Sequence, residues 1–263
     1  MCRHRLRLLA GLGAAMLLAG VCASQSVAAG KAAPARHPSF AGTWLPDLAD
    51  QRNQITGNPP PWTATIAPQV DKIARDQREG RPHLLFPGCL PHGMPALMLI
   101  THNALEILES PKRITILGEG EGDNLRRIYT DGRKHPDDPD ESMFGHSIGH
   151  WEGDTLVVDT VAIEPHTVVA VSEGIGTPNN GGMHIVERLH LVGKTSLHDD
   201  LTVEAPKILT GLWKTTRIYN RTDFEIVEGG CPRGNFRPAK DALGNSILIP
   251  RPQNSDGTPG EAR

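Results

Sequence analysis

The sequence predicts a mainly β protein whose strands form an antiparallel up-and-down barrel of about 8–10 strands, preceded by one short helix. From residue 97 onward, apolar and polar side chains alternate with a period of two, which is typical of strands. Clusters of Gly, Pro, Asn and Asp separate these runs at short intervals. A long series of sequential antiparallel strands favours closure over an open sandwich, because closure removes exposed edges.

The N-terminal segment 1–29 has the features of a secretory signal peptide. Three arginines precede an apolar run over 8–21, and small residues follow where cleavage would occur. The run is too short to span a bilayer as a permanent helix. We therefore expect a periplasmic or secreted protein. Lipid attachment at Cys22 is an alternative, although Val21 is a poor fit before a lipidated cysteine.

Charge and cysteine content agree with export. The signal removes basic residues and no acidic ones, so the mature chain is more acidic than the formal net charge of −3. Without a basic stripe, nucleic acid is not an expected partner. No later segment is apolar enough for stable membrane insertion. Cys89 and Cys231 remain after cleavage, and in an oxidising compartment we predict a disulfide, with two free buried thiols as the alternative.

Residues 30–96 are predicted to form an N-terminal arm with one helix. The segment Phe40-Ala-Gly-Thr-Trp44 resembles the short Gly-x-Trp strand that opens lipocalin-like (calycin-like) barrels. Residues 45–64 are rich in Pro, Asn and Gly, which predicts a loop. The helix is predicted over 66–80, because Pro68 suits a first turn and Gly80 suits the end.

The β-barrel domain is predicted over 97–235 and a flexible tail over 236–263. Two long loops, 131–144 and 164–182, interrupt the strands, and such loops tend to carry functional sites. The predicted strands lie near 97–101, 105–109, 113–118, 124–130, 145–151, 155–163, 183–192, 200–205, 211–219 and 223–228.

Four motifs within 40–235 resemble a large family of exported bacterial proteins. They are Cys89-Leu-Pro-His-Gly-Met-Pro95, Arg127-Ile-Tyr-Thr-Asp-Gly-Arg-Lys-His-Pro136, Gly145-His-Ser-Ile-Gly-His-Trp-Glu-Gly-Asp-Thr-Leu-Val-Val-Asp-Thr160 and His184-Ile-Val-Glu-Arg188. The resemblance implies export but no particular reaction. The chain departs from the family at its DPK…PW segment, where Ala205-Pro-Lys207 and Leu212-Trp213 stand instead.

Glu187 lies on the apolar face of the predicted strand 183–192. A carboxylate there is costly unless it is paired or protonated. It is either a buried partner of Arg126 or Arg127, or a cavity carboxyl with a raised pKa that can act as acid or base. Arg188, on the other face, would be its partner or an anion clamp.

Two histidines flank this motif region. His146 and His150 are four residues apart, which on a strand is about 13 Å at roughly 3.3 Å per residue, too far to bind one metal ion together. His146 could meet His184 or His135 from other strands, but nothing in the spacing requires a metal. We therefore predict no metal and no cofactor, with His146 and His184 as proton carriers.

Three further residues are candidate substrate contacts. Trp151 shares a strand face with small residues, which suggests close approach by another group. Tyr129 is a polar aromatic in a predicted strand, and Asp159 is either a buried acceptor or a cavity carboxylate. Ser147 matches the G-x-S-x-G motif of serine hydrolases in sequence only. In those enzymes the serine lies in a tight turn between a strand and a helix, whereas Ser147 lies within a predicted strand.

The preferred hypothesis is cofactor-free acid–base chemistry, of the lyase or isomerase type, on a small and fairly apolar organic molecule. Its proposed catalytic residues are His146, His184, Glu187 and Arg188. The runner-up is a non-catalytic periplasmic binding or carrier protein for such a molecule. A structural envelope protein that uses the two long loops as its contact surface is a third possibility.

Overall fold

The computed structural model describes residues 37–227 except 82, 84, 87–89, 121–123 and 173, together with the backbone of two later strands. The predicted signal, Cys89 and Cys231 lie outside the described residues. The helices are α1 (Leu48–Gly57), α2 (Ala67–Arg78) and α3 (Ala96–Leu99). The strands are β1 (Gly42–Pro46), β2 (Leu105–Ser110), β3 (Arg113–Gly118), β4 (Leu125–Tyr129), β5 (His146–Glu152), β6 (Thr155–Val161), β7 (Val168–Ser172), β8 (Ile175–Pro178), β9 (His184–Val192), β10 (Ser196–Glu204), β11 (Trp213–Thr222), β12 (Phe236–Lys240) and β13 (Ser246–Pro250).

Nine strands close into a barrel in the order β1-β11-β10-β9-β6-β5-β4-β3-β2. β1 completes the ring by pairing with both β2 and β11. Neighbours in the ring are antiparallel, except that β4 and β5 run parallel after the long connection 130–145. The predicted fold class, a mainly β up-and-down barrel, is confirmed.

The barrel interior is filled largely by alternate residues of the strands. The burial pattern of β10 alternates along its length, as a two-residue period requires. Trp44, Trp213 and Tyr219 are among the largest fully buried side chains. Burial of each large apolar side chain contributes roughly 1.5–3 kcal/mol, so this interior is the main stabilising element of the fold.

Two predictions in the N-terminal part of the chain are wrong. The predicted strand 97–101 is instead the helical turn α3, whose residues are all buried. A short run that is apolar on every side has no period that distinguishes a strand from a helix. The predicted loop 45–64 contains α1, which Asp47 caps by accepting hydrogen bonds from the backbone N–H groups of Ala49 and Asp50. The described part of the arm therefore contains α1 in addition to the predicted helix, α2.

Several other boundaries also differ from the prediction. β10 starts four residues early, at Ser196, because the turn before it is tight and includes Gly193 at a φ of 69°. The predicted strand 223–228 is irregular over its described residues, 223–227. The long loop 164–182 contains the hairpin β7–β8, and the segment expected to be a tail contains the paired strands β12 and β13. None of the described helices has the length and apolar character needed to cross a membrane.

Candidate functional site

A group of titratable side chains lies on the outer face of the barrel, over the adjacent strands β5, β6, β9 and β10. Because alternate strand residues point outward, His146, Asp159 and His184 all lie on this face. The loop between β4 and β5 adds His135, and β10 adds Glu204. We call these five residues the outer histidine cluster: His135, His146, Asp159, His184 and Glu204.

Asp159 lies at the centre of the outer histidine cluster. Its Oδ1 is 2.8 Å from Nε2 of His184 and 3.4 Å from Nε2 of His135. The first contact is a hydrogen bond, whereas the second is longer and has the separation of an ion pair. Nδ1 of His184 faces the Glu204 carboxylate at 3.7 Å.

His135 and His146 contact each other through their Nδ1 atoms at 2.8 Å. One of the two nitrogens must carry the proton and the other must accept it. The Asp159 carboxylate lies 3.4 Å from Nε2 of His135, without the geometry of a hydrogen bond, and its negative charge favours a proton on that nitrogen. Neutral His135 then accepts at Nδ1, and His146 donates from Nδ1. This arrangement leaves Nε2 of His146 as an unprotonated lone pair.

Aromatic and cationic neighbours cover His146. The ring of Tyr129 stacks on it with centroids 5.4 Å apart, and the guanidinium of Arg133 lies 3.9 Å from the Tyr129 centroid. Burial lowers the pKa of His146, and the neighbouring His135 and Arg133 lower it further, because a positive charge on either side chain opposes protonation of His146. His146 is therefore a neutral base at neutral pH.

Aliphatic side chains surround the central carboxylate. Ile148 on β5 and Val186 on β9 are the cross-strand neighbours of Asp159, one on each side. Both are half-buried, as is Val161, the cross-strand neighbour of His146. The titratable side chains of the outer histidine cluster thus lie next to half-buried aliphatic side chains on the same face of the sheet.

Glu187 lies inside the barrel, away from the outer histidine cluster. It is fully buried and forms a two-pronged ion pair with Arg126, which is also fully buried. Of the two alternatives for Glu187, the structure therefore shows the buried pair, with Arg126 and not Arg127 as its partner. Burial lowers the pKa of the Arg126 guanidinium, but the charge of Glu187 and its hydrogen bonds outweigh burial, so the pKa is raised.

Other charged groups share the barrel interior with this pair. Asp199 is fully buried, and neither carboxyl oxygen has a hydrogen-bond partner among the described residues. Burial raises the pKa of Asp199 well above its ordinary value, and the negative charge of Glu187 adds to this. Arg217, its cross-strand neighbour, donates instead to the carbonyl of Leu99 at 2.7 Å.

The remaining predicted site residues lie elsewhere. Arg188 is on the outer face, where it donates to Glu152 at 2.9 Å and lines a groove of about 390 Å³. Trp151 lines a separate groove of about 360 Å³ and stacks on His37, with ring centroids 3.9 Å apart. The structure thus brings together His146, His184, Asp159 and Tyr129, and it separates Glu187, Arg188 and Trp151 from them.

Sequence reasoning left His135 and Glu204 out of the acid–base site. His135 lies in a loop, and its position depends on where the chain crosses the barrel surface. Glu204 is the cross-strand neighbour of His184, so a correct register for β9 and β10 would have predicted the contact. Within the described part of the chain, no three His, Cys, Asp or Glu side chains are placed to hold a metal ion.

Comparison with known proteins adds little to this geometry. Neither the family models nor the curated proteins give a match. Among solved structures, the chain is similar to "Crystal structure of fluorescent protein UnaG wild type", with 15% identity over 70% of this chain and 97% of that chain. The TM-score is 0.33, which is too low to carry over a ligand or an activity.

Proposed function

We propose that the protein acts after export as a cofactor-free acid–base enzyme, and that it moves a proton on a small, fairly apolar organic molecule. One observation carries the proposal: Nδ1 of His146 contacts Nδ1 of His135 at 2.8 Å, with the Asp159 carboxylate on the far side of His135, and this geometry favours Nε2 of His146 as the free base. The described part of the chain offers that nitrogen no hydrogen-bond partner.

The chemistry is proton abstraction followed by proton return, as in a lyase or an isomerase. Nε2 of His146 takes a proton from the substrate and becomes an imidazolium. Its Nδ1–H remains bonded to His135 at 2.8 Å, and His135 contacts the carboxylate of Asp159 at 3.4 Å. The negative charge of Asp159 thereby stabilises the cation that forms, which is the role of an orienting carboxylate in acid–base catalysis.

His184 would be the second proton carrier. Its Nε2 contacts Asp159 at 2.8 Å and its Nδ1 faces Glu204 at 3.7 Å, so each ring nitrogen has a carboxylate beside it. Ile148 and Val186 favour an apolar substrate between the two histidines. Glu187 and Arg188 have no place in this chemistry, because neither contacts the outer histidine cluster.

Deuterium exchange tests the proposal without a known substrate. Purified mature protein is incubated in D₂O with a panel of small carbonyl compounds that have acidic C–H bonds, and mass spectrometry measures deuterium uptake. We expect wild-type protein to catalyse exchange and His146→Gln to lose about 10²–10⁴-fold of the rate. His150→Gln is the matched control, since His150 lies on the same strand face but is exposed and contacts Glu152.

The outcomes separate the candidate functions. Exchange that is equal in wild type and His146→Gln would rule out His146 as the base. Saturable binding of a compound with no exchange in any variant would favour the carrier alternative, because a binding protein leaves the ligand unchanged.

A further inference from the structure

Arg126 contacts three strands from inside the barrel, and these strands carry the outer histidine cluster. Its guanidinium donates to the carboxylate of Glu187 on β9 and, through Nη2, to Oγ1 of Thr160 on β6 at 3.1 Å. The same Nη2 lies 3.4 Å from Oγ of Ser147 on β5. The planar guanidinium therefore connects β5, β6 and β9 from a strand, β4, that lies next to β5.

The residues that Arg126 contacts stand directly behind the cluster. Ser147 follows His146 in the chain, and Thr160 follows Asp159. Because alternate residues point to opposite faces, each inward hydroxyl shares a backbone segment with an outward cluster residue. Ser147 and Thr160 are cross-strand partners, and their hydroxyl oxygens are hydrogen-bonded at 2.8 Å.

We infer that Arg126 is a positioning residue for the outer histidine cluster, with Glu187 as the carboxylate that fixes its guanidinium. From inside the barrel, Arg126 sets the relative placement of β5, β6 and β9 and so the distances among His146, Asp159 and His184. This inference rests on the proposed function.

Two physical arguments support this role over a purely stabilising one. A buried ion pair is weak evidence for stability, because apolar residues of similar volume often replace it without loss. Arg126, by contrast, is directed at side chains on three strands: one N–H of Nη2 is bonded to Glu187, and the other is left for Thr160 at 3.1 Å and the more distant Ser147 at 3.4 Å. The outer contacts are also sensitive to small shifts, since the 2.8 Å bond between His135 and His146 would be lost after a movement of about 1 Å.

The test uses the double variant Arg126→Met/Glu187→Leu, which removes both charges together and leaves no lone buried charge. Circular dichroism and amide NMR establish that it folds. Nitrogen-15 NMR of the imidazoles reports the tautomer of each histidine. We expect His146 to change from a single Nδ1–H tautomer in wild type to a mixture in the double variant, and the exchange rate to fall about a hundredfold.

Thr215→Val is the matched control. Thr215 is a buried threonine of the same interior, but its hydroxyl accepts a hydrogen bond from Arg217 and not from Arg126. We expect this variant to keep the wild-type tautomer and exchange rate. If the double variant does not fold, Thr160→Val removes one acceptor of Arg126 while leaving the ion pair, and the same two measurements apply.

Each outcome is decisive. A folded double variant, or Thr160→Val, with the wild-type tautomer and rate would overturn the positioning role. A wild-type protein in which His146 shows no single tautomer would overturn the proposed function itself. The two failures are distinguishable, because the first is read in the variants and the second in the unmodified chain.

Discussion

Individual residues of this barrel differ in whether their charge is matched. Arg126 and Glu187 balance each other's charge, whereas neither carboxyl oxygen of the buried Asp199 accepts a hydrogen bond from the described residues. Because burial raises its pKa, the folded protein keeps Asp199 protonated at pH values where the unfolded chain has released the proton. The native state then binds more protons than the unfolded state, so stability falls as pH rises through this interval.

Replacing Asp199 by Asn should remove this pH dependence. The free energy of unfolding is measured by urea titration between pH 4 and pH 8. We expect the value for Asp199→Asn to rise above that for wild type as the pH increases beyond about 3.9, the ordinary pKa of Asp. The gain grows by up to about 1.4 kcal/mol per pH unit until the folded pKa is reached. Parallel pH profiles for the two proteins would show that Asp199 is ionised in the fold.

Tyr129 contributes to the burial of His146. The pKa of His146 is lowered mainly by burial, and the Tyr129 ring provides part of that cover. We predict that an NMR titration of His146 has its midpoint below about 6.5, and that Tyr129→Ala moves the midpoint upward by exposing the imidazole to water. A midpoint that does not respond to Tyr129→Ala would contradict burial by this ring as the cause.

Gly145 and Gly153 provide a matched pair before and after β5. Both have a φ near +62°, at 63° and 62°. A Cβ at Gly145 would lie 2.5 Å from the carbonyl oxygen of Val161, whereas a Cβ at Gly153 would meet nothing within 4 Å. The two positions therefore share backbone strain but differ in steric contact.

Substituting each glycine by alanine separates these effects. We predict that Gly153→Ala lowers the free energy of unfolding by about 1–2 kcal/mol, the strain of a left-handed residue. Gly145→Ala should lose clearly more, because the backbone of β6 must also move, and that movement displaces the segment beside His146. If both variants lose the same free energy of unfolding in urea, the backbone of β6 moves to admit the new Cβ at no measurable energetic cost.

At the scale of elements, β1 is the strand that closes the barrel. It pairs with β2 on one side and β11 on the other, and Trp44 at its centre is fully buried. The indole Nε1 donates to the carbonyl of Phe40 at 2.8 Å, and the guanidinium of Arg221 lies 4.2 Å from the ring. Burial of the Trp44 side chain therefore anchors β1 to the core of the barrel.

Truncation of Trp44 should weaken closure. We expect Trp44→Ala to lower the free energy of unfolding by about 3–5 kcal/mol, as for other buried aromatic residues, and to speed amide hydrogen exchange in β1 before other strands. Trp44→Phe keeps an aromatic ring and should lose much less. Uniform acceleration across all strands would mean that β1 opens only with global unfolding.

At the scale of the whole molecule, the sequence predicts the barrel well and the site in part. Alternation with a period of two identified the core strands and placed Glu187 on the interior face. It could not identify α3, because a short run that is apolar throughout has no period. It also could not bring His135 to His146, since that contact depends on the path of a loop and not on a repeating pattern.

The sequence motifs contain the residues of the site but do not specify its geometry. His146, Asp159 and His184 were candidates on sequence grounds, yet their meeting requires the registers of β5, β6 and β9. The register, meaning which residues of two neighbouring strands lie opposite each other, could not be read from this single sequence. The site was therefore predictable as a set of residues and not as an arrangement.

The parallel pair β4 and β5 follows from the odd number of strands in the barrel. Directions can alternate without fault around a ring only if the ring has an even number of members, and this ring has nine. At least one neighbouring pair must therefore be parallel. Between two parallel strands the chain has to cross from the end of the first strand back to the level of its start, and here residues 130–145 make that crossing. The stretch that makes this return includes His135. In a ring of eight alternating strands a short turn could join each pair of neighbours, and a short turn would not carry a second imidazole to His146.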